Sequence, residues 1–120
     1  MPKRRPLAKV RYRAYCQQGG KCYCCLSPIW EGDPASLADT YRIPPRFWPQ
    51  LRSTAEHLIP WSHGGPDNLS NIVAACHRCN QGRNGFAPTP EPDRYREHVA
   101  RLMARRAWFS PRLHAHLGCV

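Results

Sequence analysis

Two Cys-x-x-Cys pairs constrain the fold of this chain more than any other feature of its sequence. The first runs from Cys22 to Cys25 and the second from Cys76 to Cys79. Each pair supplies two thiolates from one tight turn, and zinc takes four such ligands at the corners of a tetrahedron. We therefore predict one structural zinc ion bound by all four. Cys24 lies inside the first pair and offers another register, although the spacing favours Cys22 with Cys25.

A structural metal suits a chain of this size. Its 120 residues, which include 13 prolines and 8 glycines, are enough for one domain with a modest core. We predict a single domain over residues 1–120. No apolar run approaches the ~20 residues of a membrane span, and the basic start is not followed by the apolar segment of a secretory signal. The cytoplasm is the expected compartment, where paired cysteines bind metals more often than they form disulfides.

The charge of the chain indicates a polyanionic partner. The net charge is +10, and 15 of the 18 basic residues are arginines. Arginine pairs bidentately with phosphate, which favours a polyanionic partner such as DNA or RNA. Ribosomal and membrane-surface proteins are also basic, so charge alone does not separate these classes.

The hydrophobic pattern predicts a small α+β fold flanked by a basic helix on each side. A segment rich in proline and glycine joins the central elements to the last helix. The predicted elements are a helix over 4–18, a ribbon over 21–30, strands over 55–59 and 72–75, a brief helix over 80–84 and a helix over 93–108. The tail from Ser110 carries no clear signal.

Three polar residues near the cysteine pairs suggest a second, harder metal site. The carboxylate of Glu56 and the amide of Asn80 offer oxygen ligands, which suit Mg²⁺ or Mn²⁺, and a neutral His57 imidazole can accept a proton from water. Side chains alternate along a strand, so Glu56 and His57 reach one cleft only if the strand ends there. A Glu-His dipeptide alone is a weak motif, and a surface glutamate beside a hydrogen-bonded histidine is the simpler interpretation.

The order of these residues resembles that of the HNH endonucleases. The two stretches that carry the resemblance are EHLIPWSHGG over 56–65 and NIVAACHRCN over 71–80. The upstream cysteine pair matches the zinc-bearing branch of that family, and the whole resemblance spans about residues 20–85. It implies a ββα-metal fold, in which two short strands and a helix surround a divalent ion beside the zinc.

The resemblance also implies roles for five residues. In the family, the position of His57 is the general base, and the positions of Glu56 and Asn80 bind the catalytic Mg²⁺ or Mn²⁺. Asn71 would brace the loop that orients the base, and Arg83 would contact phosphate. Glu56 stands where aspartate is usual, and Arg83 where lysine is frequent. These departures leave the metal geometry open.

These patterns predict a metal-dependent endonuclease that hydrolyses phosphodiester bonds of DNA. Such hydrolysis needs an activated water and a cation that neutralises charge on the phosphate. A non-catalytic zinc-ribbon module that binds nucleic acid explains the charge and cysteines equally well. It gives no reason for Glu56, His57, Asn71 and Asn80 to occur in this order. A RING-like interaction domain needs ligands for two zinc ions, and the chain has ligands for one.

Two further groups of residues have open interpretations. Arg94, Arg101 and Arg105 fall on one stripe of the last predicted helix. That stripe is either a track for phosphates, in which case Arg101 and Arg105 contact nucleic acid, or a solvated face. A cluster of His114, His116 and Cys119 suggests a further metal site only weakly, because nothing else converges there.

Overall fold

The computed structural model describes residues 7–118. Within this range the helices and strands are α1 (Leu7–Gln17), α2 (Ala35–Asp39), β1 (Ser53–His57), β2 (Ile72–Cys76), α3 (His77–Asn84), α4 (Pro92–Ala104) and α5 (Pro111–Leu117). Short 3-10 turns cover Pro45–Phe47, Pro49–Leu51 and Trp61–His63. Residues 4–6 of the predicted first helix, and the tail residue Cys119, lie outside the described residues.

The centre of the fold is the antiparallel pair β1–β2, followed directly by α3. The register runs from Ser53 opposite Cys76 to His57 opposite Ile72. Helix α3 packs against both strands from one side, and α1 also contacts both. This ββα unit and the four cysteines beside it confirm the predicted small α+β class and the ββα arrangement.

The outer edge of β2 is hydrogen-bonded to other segments. The Gln18 side chain accepts a hydrogen bond from the Ala74 N–H (2.9 Å) and donates one to the Ala74 carbonyl (2.7 Å). The Cys76 N–H donates to the sulfur of Cys22 (3.2 Å). The Gln18 side chain therefore takes the place that one peptide group of a third strand would occupy. The Cys22 sulfur does the same for the N–H at the end of β2.

The core lies between the sheet, the zinc cysteines and the two C-terminal helices. Tyr95 and Val99 of α4 and Leu113 of α5 are almost fully buried there. The Tyr95 hydroxyl donates a 2.6 Å hydrogen bond to the Cys79 carbonyl. Tyr95 thus joins α4 to the first turn of α3.

Two boundaries in the central unit differ from the prediction. Strand β1 covers Ser53–His57 rather than 55–59, because Ile59 bonds to the Asn71 side chain instead of to a strand. Helix α3 begins at His77 rather than at residue 80. The Cys76 sulfur accepts from the Cys79 N–H (3.3 Å) and so caps the helix at its start.

The C-terminal helices also differ from the prediction. Helix α4 ends at Ala104, not 108, since Arg106 takes a left-handed conformation at φ 54°. Its N–H and that of Ala107 turn back to carbonyls of the last helical turn, the pattern of a Schellman cap. Helix α5 was missed, although Ser110 caps it by accepting from the Leu113 N–H (3.3 Å).

Candidate functional site

The four predicted zinc ligands lie together in the core. The sulfur atoms of Cys22, Cys25, Cys76 and Cys79 are all within 4.8 Å of one another, and all four residues are buried. A tetrahedral zinc with Zn–S bonds of about 2.3 Å places its sulfurs about 3.8 Å apart. The Cys25 and Cys76 sulfurs are 3.9 Å apart, which is too long for a disulfide and close to the zinc value. This donor set fits a structural zinc ion with no open coordination position.

Local hydrogen bonds place the first pair of ligands. The Leu26 N–H donates to the Cys22 carbonyl and the Cys22 N–H to the Ser27 carbonyl, which closes a tight turn. Leu26 completes that turn with a left-handed backbone at φ 63°. Cys24, the alternative ligand, lies beside this cluster, and its thiol donates to the Glu56 carboxylate at 3.5 Å. The hydrogen bond with Cys22, with burial, raises the pKa of the Cys24 thiol.

A cleft opens on the opposite side of β1 from this interior. It has a volume of about 510 Å³. His57 reaches it from the end of β1 and Asn80 from the first turns of α3. The lining residues are Leu7, Ala55, His57, Pro60, Trp61, Ser62, Asn80, Asn84 and Thr89. The structure thus brings the predicted general base and one predicted metal ligand to a single cleft.

The His57 ring is held by a carboxylate. Its Nε2 lies 2.6 Å from Oδ1 of Asp67. The side chain of Asp67 is 5% exposed and that of His57 14% exposed. The pair is therefore well shielded from water on the loop side of the cleft.

Asn71 fastens the loop between the two strands, as the resemblance implied. Its Oδ1 accepts from the Ile59 N–H (2.7 Å), and its Nδ2 donates to the carbonyls of Ile59 (2.9 Å) and Pro66 (3.1 Å). The buried Asn71 amide thus uses its oxygen as an acceptor and its nitrogen as a donor at the same time. One side chain thereby fixes the chain just after His57 and just before Asp67.

Asn80 is anchored to β1 through its amide nitrogen. Nδ2 donates to the Thr54 hydroxyl (3.1 Å) and the Ala55 carbonyl (3.2 Å). Its Oδ1 accepts from Asn84 at 2.8 Å. This orientation holds the amide at the cleft, with its oxygen on the side of Asn84.

Glu56 faces the interior instead of the cleft. The residue is 3% exposed, because strand alternation sends it to the side of β1 opposite His57. Burial raises its pKa to about 7, against the opposing effect of Arg83. Its Oε1 has no hydrogen-bond partner among the described residues and lies 3.6 Å from the Arg83 guanidinium. The structure does not bring Glu56 and Asn80 together on the cleft.

Arg83 does not lie where it could contact phosphate, which corrects the prediction for this residue. It is 3% exposed. Its guanidinium donates to the carbonyls of His57 (2.7 Å), Leu58 (2.8 Å) and Pro90 (3.1 Å). Since all three nitrogen atoms are used, Arg83 serves as a brace for the end of β1.

The remaining predicted residues lie at the surface or in the core. Arg94 and Arg101 are exposed on α4, and Arg105 is exposed at its C-terminal cap, away from buried Tyr95. His114 does not contribute to a metal cluster among residues 7–118, since its Nε2 accepts from the Phe109 N–H (2.9 Å).

Comparison with known proteins adds one finding. Residues 48–85 match the family model described as HNH endonuclease. Over this range the chain is similar to an HNH endonuclease domain. In that family the domain implies nuclease-type activity on a nucleic acid. No curated protein and no solved structure matched the chain.

The matched range contains the predicted general base His57, both predicted asparagines, Asn71 and Asn80, and the second cysteine pair. The first cysteine pair precedes it, so the zinc site rests on the geometry of the four sulfurs. No helix among residues 7–118 has the length and apolar character to cross a membrane.

Sequence reasoning missed Asp67 in the matched range. The run from Ser62 to Asn68 was interpreted only as a loop because of its glycine, proline and asparagine content. A signal was present, since the one acidic residue of this loop follows Gly64-Gly65-Pro66. Its contact with His57 depends on how the loop folds back, which composition does not reveal.

Proposed function

We propose that this protein is a metal-dependent HNH endonuclease that hydrolyses phosphodiester bonds of DNA. The observation that carries the proposal is the position of His57 at the end of β1, aimed into a cleft that also receives Asn80. The net charge of +10 favours a polyanionic substrate. We further propose that residues 1–120 act as one domain in the cytoplasm.

In this mechanism His57 is the general base. The imidazole takes a proton from a water molecule, and the resulting hydroxide attacks phosphorus in line with the leaving oxygen. One P–O bond forms and one breaks, so the diester gives a phosphomonoester and an alcohol, and the leaving oxygen takes up a proton. Asn71 and Arg83 keep the strand end and its loop fixed while this happens.

The donor set is suited to Mg²⁺ or Mn²⁺. An amide oxygen from Asn80 and a carboxylate oxygen from Glu56 are ligands that these ions prefer, with waters completing the shell. Glu56 faces the interior in this structure, so its side chain must turn toward the cleft to join Asn80. When bound, such an ion would neutralise charge on the phosphate and the leaving oxygen.

Supercoiled plasmid tests the proposal. The purified protein is incubated with plasmid in Mg²⁺, in Mn²⁺ or in EDTA, and nicked and linear products are measured. We expect cleavage with the ions and none with EDTA. His57→Ala should lower the rate roughly 10²–10⁴-fold while zinc content and DNA affinity are kept. His63→Ala, at an exposed histidine in the segment that follows β1, is the matched control and should cleave normally.

The zinc-ribbon binding module is the competing function. It predicts that the wild-type protein binds DNA and leaves it intact with every divalent ion. That result would overturn the nuclease proposal and leave a binding role.

A further inference from the structure

We propose that Asp67 is a positioning residue that selects which nitrogen of His57 accepts the proton. The inference deepens the proposed function and rests on His57 acting as the base. The Asp67 carboxylate accepts a hydrogen bond from the Nε2–H of His57 across 2.6 Å. With the proton held on Nε2, the lone pair that takes a proton from water is on Nδ1.

The position of Asp67 is determined by the packing of its loop. A β-carbon at Gly65 would lie 1.8 Å from the Ile59 carbonyl oxygen and 2.6 Å from the Asn71 amide nitrogen. Only glycine allows this approach, so the loop lies directly on the chain that leaves β1. The Gly65 N–H also donates to the Pro60 carbonyl (3.1 Å). The loop therefore returns to His57 in one defined conformation.

Asn71 links the backbone near His57 to the backbone next to Asp67. The same side-chain nitrogen donates to Ile59, two residues after His57, and to Pro66, the neighbour of Asp67. On the strand side, Arg83 donates to the His57 carbonyl at 2.7 Å. Both partners of the 2.6 Å contact are thus held by their backbones.

The pair has a chemical consequence for proton transfer. When Nδ1 accepts a proton from water, the ring carries two N–H groups and one positive charge. The carboxylate of Asp67 faces that charge across the Nε2–H bond, and the shielded site strengthens the attraction. A ring that rotated, or that carried its proton on Nδ1, would present no lone pair at the same point.

The tautomer of His57 provides a test that does not depend on activity. Nitrogen-15 NMR of histidine-labelled protein, at a mildly alkaline pH, distinguishes the two neutral tautomers, and a His57→Ala spectrum assigns the signals. We expect the Nε2–H form to dominate in the wild type and to lose population in Asp67→Ala. A dominant Nδ1–H form in the wild type, or populations unchanged in Asp67→Ala, would overturn the proposal.

The kinetic test uses plasmid nicking at saturating Mg²⁺. Loss of a carboxylate that orients a histidine costs ~10–100-fold at metal sites, and we expect Asp67→Ala to lower kcat by a similar factor without changing KM or the Mg²⁺ requirement. Asp67→Asn keeps the shape of the side chain but loses its charge, and its amide N–H can stabilise the other tautomer of His57. It should therefore also lower kcat, and it decides the matter if Asp67→Ala fails to fold. Asp33→Ala, an exposed aspartate, is the control and should behave as the wild type.

The outcomes separate the two proposals. A wild type that never cleaves refutes the proposed function, and the NMR result still decides whether Asp67 sets the tautomer. If the wild type cleaves and both Asp67→Ala and Asp67→Asn cleave as fast as the wild type, only the positioning role is refuted. A higher Mg²⁺ requirement at unchanged kcat would instead make Asp67 a metal ligand, which also refutes it.

Discussion

At the scale of single residues, Glu56 and His57 are neighbours in sequence that β1 sends to opposite sides. His57 meets the cleft and Asp67, while Glu56 meets the interior, where burial raises its pKa to about 7. The two neighbouring side chains therefore differ in whether they reach the cleft without moving. The imidazole already lines the cleft, whereas the carboxylate would have to turn before it could bind an ion there.

This difference gives a prediction for metal activation. If Glu56 and Asn80 hold the ion, Asn80→Ala and Glu56→Gln should each raise the Mg²⁺ concentration for half-maximal nicking ~10–100-fold, the range for weakened metal sites. Mn²⁺ should rescue both in part. Protons compete with the ion for Glu56, so in the wild type the half-maximal Mg²⁺ concentration should rise as pH falls below about 7.

Glu56→Gln carries no titrating group at this position, so its Mg²⁺ requirement should lack that pH dependence. Titrations of nicking rate against Mg²⁺ at several pH values measure both effects. An unchanged Mg²⁺ requirement in Glu56→Gln would leave Glu56 as an interior partner of Arg83 and Cys24 only.

At the scale of elements, the outer face of α4 is the strongest candidate for a phosphate track. Each neutralised phosphate contributes about 0.9 to the slope of log affinity against log salt. Arg101→Gln with Arg105→Gln should flatten that slope by up to about 1.8 if both contact the backbone. Arg42→Gln with Arg112→Gln, two other exposed arginines, removes equal charge. Equal slopes in the two double variants would assign the α4 arginines to a solvated face.

Helix α5 should respond to acid through His114. Burial first, and Arg106 second, lower the pKa of this imidazole, whose Nε2 accepts from the Phe109 N–H. A lowered pKa means that the unfolded chain binds the proton more readily, so stability is kept above pH ~6.5 and lost as pH falls below it.

Melting curves test this expectation for α5. Between pH 7.5 and 5.5 the melting temperature of the wild type should fall further than that of His114→Gln, because the buried His114 imidazole resists protonation. His116→Asn should keep the wild-type dependence. Identical pH profiles in His114→Gln and the wild type would contradict the role of His114.

At the scale of the whole molecule, the four-cysteine cluster joins the turn at residues 22–25 to β2 and α3, which lead to the cleft. Cys76 ends β2, caps α3 and contributes a sulfur, and Asn80 follows Cys79 directly. Structural zinc sites contribute on the order of 10 kcal/mol to folding. Cys76→Ser should therefore give unfolded or molten protein with less than one zinc per chain, measured by elemental analysis and melting. Cys16→Ser, at an exposed cysteine, should retain the zinc and a cooperative melt.

Sequence patterns predicted the central unit better than the ends. The cysteine spacing and the order of His57, Asn71 and Asn80 are local signals, and the structure brings them to the zinc cluster and the cleft. The burial of Arg83 and the contact between Asp67 and His57 could not be predicted from the sequence, because both depend on how other segments pack against the end of β1. Helix α4 ends at Ala104, with Arg106 in the left-handed position that glycine usually takes, and α5 is short, so neither boundary had a strong sequence signal.

The hydrogen bonds between Gln18 and Ala74 have a consequence for how copies of this protein behave together. Both strands of a two-stranded sheet are edge strands, and an unpaired edge can form hydrogen bonds with a strand of another chain. The amide of Gln18 occupies both bonding groups of Ala74, and the Cys22 sulfur occupies the N–H of Cys76. The Cys22 sulfur and a single glutamine thus cover the bonding groups of this edge. If the four cysteines hold zinc, a chain that loses the metal should also expose an aggregation-prone strand.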